Sequence, residues 1–235
     1  MVTAPGVVEG GLEDDLHYFT VTVRHDHDRV QSVESHSVRE PWSTCADAAA
    51  PLRELAGMPL SERCLAIGDH AAPLLNCTHQ FDLAGLAVAH AARVERGGRD
   101  RRQYDIEVPF GLLQGGEREA TLERDGAVLL RWTLRGHRIV APEPYAGVDR
   151  GFFRWADEHL PVDDAEAAIV MRRACTIGMG RGVDLDQYDN LGQLPELAPV
   201  CYSMQPERAP VAFRYRNRIR DFDDARDTLL AQGPE

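Results

Sequence analysis

Leu16-His17-Tyr18-Phe19-Thr20-Val21-Thr22-Val23-Arg24-His25-Asp26-His27-Asp28-Arg29-Val30-Gln31-Ser32-Val33-Glu34-Ser35-His36-Ser37-Val38 is the stretch whose reading decides the fold. His17, Phe19, Val21 and Val23 alternate with Tyr18, Thr20 and Thr22, the period of a strand whose successive side chains take opposite faces. The polar run from His25 to Asp28 separates them from a second alternating run beginning at Arg29. The segment therefore predicts a β-hairpin with its turn centred on Asp26 and His27.

A turn of that centre places His17 opposite His36 and Phe19 opposite Glu34. One face of the ribbon then carries Val21, Val23 and Val30 near the turn, with His17, His36 and Glu34 clustered at the far end. Direct neighbours in such a pair lie within about 5 Å and diagonal ones within about 8 Å. An imidazole drawn out of water beside a carboxylate is tuned for proton transfer near neutral pH. Two histidines and a carboxylate are also a metal-binding set. The plain alternative is a solvated sheet end with no chemistry.

Working outward, Pro41 breaks the strand pattern, and Cys45 to Ala56 reads as a short helix stopped by Gly57 and Pro59. The clearest helix is His79 to Glu95, with Phe81, Leu83, Leu86, Ala87, Ala91 and Val94 at helical spacing and Gly97-Gly98 closing it. Asn76, Cys77 and Thr78 supply its cap. A thiol there feels the positive end of the helix dipole and is expected to ionise readily, while Thr78 caps backbone donors. Asp82, one turn on, is placed to orient His79. His90 lies roughly 16 Å further along the same helix and cannot join them. A buried cysteine beside a capping histidine is the bland account of the same residues.

Arg99-Asp100-Arg101-Arg102 forms a charged link to an expected β-meander, in which Tyr104 to Phe110 alternates and Asp125-Gly126 turns between Ala120–Arg124 and Ala127–Leu134. Helices are expected at Gly151–Leu160 and Asp163–Ile177. The fold class is α+β: an N-terminal β-hairpin with packed helices, followed by an antiparallel β-meander and further helices. Residues 1–15, Gly-rich, acidic and without periodicity, read as a flexible arm. Residues 16–98 form the hairpin-plus-helix unit, 103–221 the meander and helical unit packed with it into one compact domain, and 222–235 a polar tail.

All 26 basic residues are arginine, so Schiff-base chemistry and the phosphate loop ending in Gly-Lys-Ser/Thr are excluded. The net charge of -12 disfavours a nucleic-acid partner. Five widely spaced cysteines without a Cys-x-x-Cys pair fit neither a disulfide framework nor a zinc ribbon. No stretch approaches the roughly 20 apolar residues of a membrane span, and the start lacks a signal-peptide pattern, so a cytoplasmic address and no membrane partner are expected. Gly178-Met179-Gly180-Arg181-Gly182 follows a helix and is not read as a nucleotide loop. Asp184, Asp186 and Asp189 lack the calcium-loop glycine and terminal glutamate. Arg214, Arg216, Arg218 and Arg220 share one side of an expected strand, where they grip an anionic substrate group or, more simply, pair with the chain's own acids.

Leu16-His17-Tyr18, Val33-Glu34-Ser35, Pro41-Trp42-Ser43-Thr44-Cys45 and Cys77-Thr78-His79-Gln80-Phe81-Asp82-Leu83 distantly resemble, in order and spacing, a set of known signatures. These are His-Asp-Met, Val-Glu-Ala, Pro-Tyr-x-x-Cys and Cys-Thr-His-Leu-x-Glu-Leu, of the bacterial family catalogued as domain of unknown function 2889. The resemblance covers about residues 16–95 and brings no activity with it. It points at His17, Glu34, Cys45, Cys77 and His79. Tyr18 stands where the family has Asp, Asp82 where it has Glu, and His36 lies outside the signature.

The leading expectation is a cofactor-independent acid/base enzyme, a lyase or isomerase of catabolic type acting on a small, mostly apolar molecule. His17 or His79 moves protons with Glu34 as partner, and Cys77 or Thr78 donates a hydrogen bond. Phe19, His36, Cys45, Thr78 and Asp82 complete the substrate-binding set. No cofactor is assigned, and no metal. The alternatives are a non-catalytic small-molecule carrier or accessory protein, and a metalloprotein using His17, His36 and Glu34. A small-molecule ligand is the expected partner, with homo-oligomerisation left open. Each reading needs the opening ribbon and the start of the long helix to bring their ionisable side chains together out of water.

Overall fold

The computed structural model describes residues 1–195 and 198–231; of the expected tail at 222–235, positions 232–235 lie outside the described residues. Among the described residues the fold is α+β, with two antiparallel four-stranded sheets whose strands lie side by side in sequence order. The chain divides into two units, Met1–Asp100 with Leu185–Glu235, and Arg101–Asp184. The first boundary falls between Asp100 and Arg101, inside the charged link Arg99–Arg102. The expectation that residues up to 221 belong with the meander is corrected, because the segment from Leu185 onward returns to the first unit.

In that unit β1 (Val2–Ala4) and β2 (Val7–Glu13) precede the hairpin of β3 (Tyr18–His25) and β4 (Val30–Arg39). The flexible-arm reading of residues 1–15 is thus overturned, since β2 pairs along β3 from Val7↔Arg24 to Glu13↔Tyr18. The glycines that disguised it are there for packing. A Cβ on Gly10 would lie 3.1 Å from Leu83 Cδ1, so the bare backbone admits the long helix that crosses the sheet.

β3 buries Phe19, Val21 and Val23 as the alternation requires. Its pairing with β4 differs from the expected register: Phe19 faces Ser37, and Thr20 faces His36. The turn sits later than expected, with His25 opposite Val30, because Asp26 organises the loop. Its Oδ1 accepts the Arg29 amide at 3.0 Å, its own amide donates to Arg29 O, and His27 takes a left-handed φ of 69°. A register irregularity between Arg24 and His25 adds to the slip. The total offset is odd, and an odd offset turns every side chain of a strand to its other face. Glu34 and His36 are accordingly exposed.

The segment after β4 forms a ten-residue 3-10 helix, Ala46–Leu55, where a short helix was expected. Pro51 lies inside it and Gly57, at φ 87°, follows its end. Helix α1 (Thr78–Glu95) buries Phe81, Leu83, Ala84, Val88 and Ala91. Its small residues allow neighbours to come close on several sides: a Cβ on Gly85 would stand 2.3 Å from Cys64 O. The returning C-terminal segment is braced internally by two ion pairs and joined to Glu40 and Glu13 by two others. Arg214 Nε reaches Asp186 Oδ1 at 2.8 Å, and Arg216 reaches Asp189 Oδ1 at 2.6 Å. Arg218 lies 3.8 Å from Glu40, and Arg220 lies 3.7 Å from Glu13. The arginine row therefore pairs within the chain; among the described residues no strand forms there, and the isolated bridges Trp42↔Arg214 and Asn190↔Phe213 add backbone connections.

The second unit holds β5 (Tyr104–Glu107), β6 (Glu117–Arg124), β7 (Ala127–Arg135) and β8 (Arg138–Ala141), then α2 (Phe152–His159) and α3 (Val162–Gly178). Asp125 and Gly126, both at positive φ, make the expected tight turn. Trp132 is fully buried against Tyr145 and Phe152. Glu166 on α3 is held by the Tyr104 hydroxyl at 2.7 Å and by Arg102 at 3.1 Å. Among the described residues no helix is long and apolar enough to cross a membrane.

Candidate functional site

The strand order and the helix crossing bring together three side chains from three places: Asp14 just after β2, His17 just before β3, and His79 in the first turn of α1. Asp14 makes an Asx turn with the amide of Leu16, two residues on, and lies three residues ahead of His17. Its Oδ1 accepts the backbone amides of Leu16 at 2.7 Å and His17 at 2.8 Å. The same carboxylate meets the His17 ring, with Nδ1 3.0 Å from Oδ1 and 3.1 Å from Oδ2. From the other side His79 Nε2 approaches Oδ2 at 3.7 Å.

The His17 and His79 rings stack with centroids 3.8 Å apart and planes 30° from parallel. Both residues are buried, while the Asp14 side chain is 27% exposed and forms the open side of the cluster. Phe19, fully buried, sits 5.7 Å from the His17 ring and 5.9 Å from the His79 ring and closes the inner wall. Burial alone would raise the pKa of Asp14. The charge and hydrogen bond of His17, the charge of His79 and the Leu16 amide outweigh it and hold the carboxyl well below the usual carboxylate range.

One donor atom from each of the three residues lies within 4.8 Å of the other two. Metal–ligand bonds of about 2.0–2.1 Å in a tetrahedron set neighbouring donors about 3.3 Å apart. His17 Nδ1 stands 3.0 Å from Asp14 Oδ1 and His79 Nε2 3.7 Å from Asp14 Oδ2, close to that spacing, while the donors as a set lie within 4.8 Å, so the two imidazoles would draw together on an ion. Two imidazoles and one carboxylate suit zinc, iron(II) or another first-row divalent ion, and three protein donors leave positions open for water and substrate.

The expected site thus assembles in part. His17 and His79 come together as the long-helix reading required, with Phe19 behind them and Cys77 beside them, its Sγ 3.9 Å from His79 Nδ1. Cys45 is near the same helix start, its carbonyl accepting Gln80 Nε2 at 2.9 Å and its thiol accepting the Ser203 hydroxyl at 3.6 Å. Cys77 is corrected in character. It occupies the cap position but makes no capping hydrogen bond, and burial pushes its pKa up to about 12 against the pull of the Gln80 and His79 amides. Cys45 is likewise pushed up by burial and by Cys77. Neither is an activated thiolate. Thr78 is the first helical residue, not the cap. Asp82 acts on the Cys77 thiol, raising its pKa, and Asp14 is a carboxylate placed against His79.

Glu34 and His36 do not join. Glu34 lines an open groove of about 440 Å³ along β4, with Ala46, Asp47, Ala49, Arg53 and Tyr202, and this groove contains neither His17 nor His79. The carboxylate that sequence reasoning missed, Asp14, was hidden in the supposed arm, and the Asp-x-x-His spacing was the available signal.

Comparison with known proteins finds no matching family model, no similar curated protein and no similar solved structure.

Proposed function

We propose that this chain is an enzyme of the lyase or isomerase kind whose reactive centre is a divalent transition-metal ion held by Asp14, His17 and His79. The observation that carries the reading is the convergence of three donors within 4.8 Å on one partly open, otherwise buried spot. A carboxylate kept ionised and two imidazoles match what such an ion needs, and the ion would act as a Lewis acid on a carbonyl or hydroxyl oxygen or lower the pKa of a bound water. Phe19 behind the rings favours a substrate that is small and mostly apolar around its polar group. No disulfide joins the five cysteines, in keeping with a reducing compartment such as the cytoplasm.

A second reading rests on the 3.0 and 3.1 Å contacts between Asp14 and His17 Nδ1, which fix one tautomer of His17 and suit cofactor-independent proton transfer. Elemental analysis of the purified protein, followed by zinc or cobalt(II) titration after chelation, separates the two. The metal reading expects one ion per chain, lost in His17→Ala and His79→Ala and retained in His36→Ala. Absence of stoichiometric binding in the wild-type protein at micromolar free ion removes it and leaves proton transfer by His17.

A further inference from the structure

The loop from Asp14 to His17 carries two of the three donors and is neither helix nor strand, so its backbone polar groups need partners from elsewhere. Its amides are taken up within the loop. Those of Leu16 and His17 donate to Asp14 Oδ1, and that of Asp14 donates to His17 O at 2.9 Å. Its carbonyls converge on one side chain. Arg39, buried at the end of β4, donates from Nη2 to Asp14 O at 2.7 Å and to His17 O at 3.3 Å, and from Nη1 to Asp15 O at 2.8 Å. Glu13 Oε1 supplies the countercharge, 2.9 Å from Nη2. The returning segment joins the same anchor, with the Arg220 amide donating to Asp15 O at 2.9 Å and Arg39 Nη1 3.5 Å from Arg218 O.

We propose, resting on the reading of Asp14, His17 and His79 as the reactive centre, that Arg39 is its positioning residue. It acts through the loop backbone, fixing where the Asp14 carboxylate and the His17 ring stand relative to His79. His79 arrives on α1, a separate element, so the two halves of the centre meet only if the loop is held in place. A reactive constellation tolerates displacements of only about 0.5 Å, and a misplacement of about 1 Å can cost on the order of 100-fold in rate.

The guanidinium is suited to this task by its shape. Its donors form a planar, rigid fork, so the three loop carbonyls and the Glu13 carboxylate are held at set positions relative to one another. A lysine ammonium is a compact charge with rotatable donors and cannot span the same acceptors. Charge and positioning are therefore separable: lysine at this place keeps a cation beside Glu13 and loses the fork, whereas glutamine in place of Glu13 weakens the charge pair and leaves the carbonyl bonds intact.

The test compares full-length wild type, Arg39→Lys and Glu13→Gln by cobalt(II) titration with visible absorption. Long-range nitrogen–proton NMR correlations of the metal-free proteins report the His17 tautomer beside it. Arg39→Lys should bind cobalt at least about 10-fold more weakly, with a displaced absorption band. In that variant His17, held by Asp14 as the Nδ1–H tautomer in wild type, should become a mixture of tautomers. Glu13→Gln should melt lower yet keep the wild-type band and tautomer. Should Arg39→Lys not fold, the double variant Arg39→Met with Glu13→Leu removes fork and charge pair together and should show the same loss of affinity and tautomer. Wild-type values in a folded variant without the fork overturn the proposal. So does a change in Glu13→Gln as large as in Arg39→Lys, which would assign the effect to stability, and so does a mixed tautomer in wild type. If wild type takes up no cobalt, the metal reading alone falls, and the tautomer comparison decides the role of Arg39 by the same criteria.

Discussion

Asp14 Oδ2 stands 3.7 Å from His79 Nε2, so the residue that ends the first sheet turn and the second residue of the long helix share one carboxylate. The same carboxylate holds the loop to His17 through two backbone amides. Structure and chemistry meet in this one side chain, and a substitution can separate them.

Asp14→Asn keeps an oxygen able to accept the Leu16 and His17 amides and removes the charge. The variant should melt within a few degrees of wild type. Its affinity for zinc or cobalt(II) should fall at least about 100-fold, since even residues that merely orient metal ligands cost about 10–100-fold when changed. Asp14→Ala should lose both binding and stability. Calorimetric titration beside thermal melts reads the two effects, and unaltered affinity in the Asn variant would exclude Asp14 from the centre.

Glu34→Gln and His36→Ala should leave metal binding unchanged and shift the melting temperature little, because both side chains are exposed on the outer face of β4. A fall in metal affinity in either, measured by the same titration, would place that side chain at the ion with Asp14, His17 and His79.

The contrast between these residues and His17 marks how far the sequence could be read. Alternation over Leu16–Val38 and helical spacing over His79–Glu95 are consequences of which face meets the core, and both elements formed. Pairing register is set by a few turn atoms, the Asp26 carboxylate and the left-handed His27, and no periodicity encodes them. Asp14 was illegible for a different reason. Gly10 and Gly11 carry no side chain to alternate, so β2 shows no strand pattern, although Gly10 is bare because Leu83 packs on it. The return of residues after Leu185 to the first unit is supported by ion pairs such as Arg220 with Glu13, which charge counting permits but cannot place.

Arg39 is the buried cation that binds this returning segment to the site loop. Its Nη2 meets Glu13 Oε1 at 2.9 Å and Asp14 O at 2.7 Å, and its Nη1 donates to Asp15 O at 2.8 Å. The side chains of the pair are 9% and 2% exposed, so removing Arg39 leaves the buried Glu13 charge with the more distant and half-exposed Arg220, at 3.7 Å, as its counterion. Arg39→Met should cost about 3–5 kcal/mol of unfolding free energy in denaturant titration. The double variant Arg39→Met with Glu13→Leu should recover part of that loss. If the double variant is less stable than the single by the full cost of a second buried change, the pair does not act as a charge pair.

The tip of the hairpin carries a pH-dependent tie to the end of α1. His27 Nδ1 lies 2.7 Å from Glu95 Oε2, and from β3 His25 Nδ1 lies 3.7 Å from the other oxygen. The Glu95 hydrogen bond and charge, aided by Asp28 and Asp26 beside it in the turn, raise the His27 pKa above its ordinary 6.5. A raised histidine pKa means that the folded chain holds the proton more tightly than the unfolded one. The resulting stabilisation is present in full below pH 6.5 and fades as pH rises through the raised value. His27→Asn tests this without straining the turn, since asparagine tolerates the φ of 69° found there. Thermal melts across pH should show wild type above the variant on the acid side of that window and the two curves converging on the alkaline side. Because His27 is fully exposed, added salt should shrink the gap. A difference that stays constant across the window would assign the effect of His27 to turn geometry instead of to its charge.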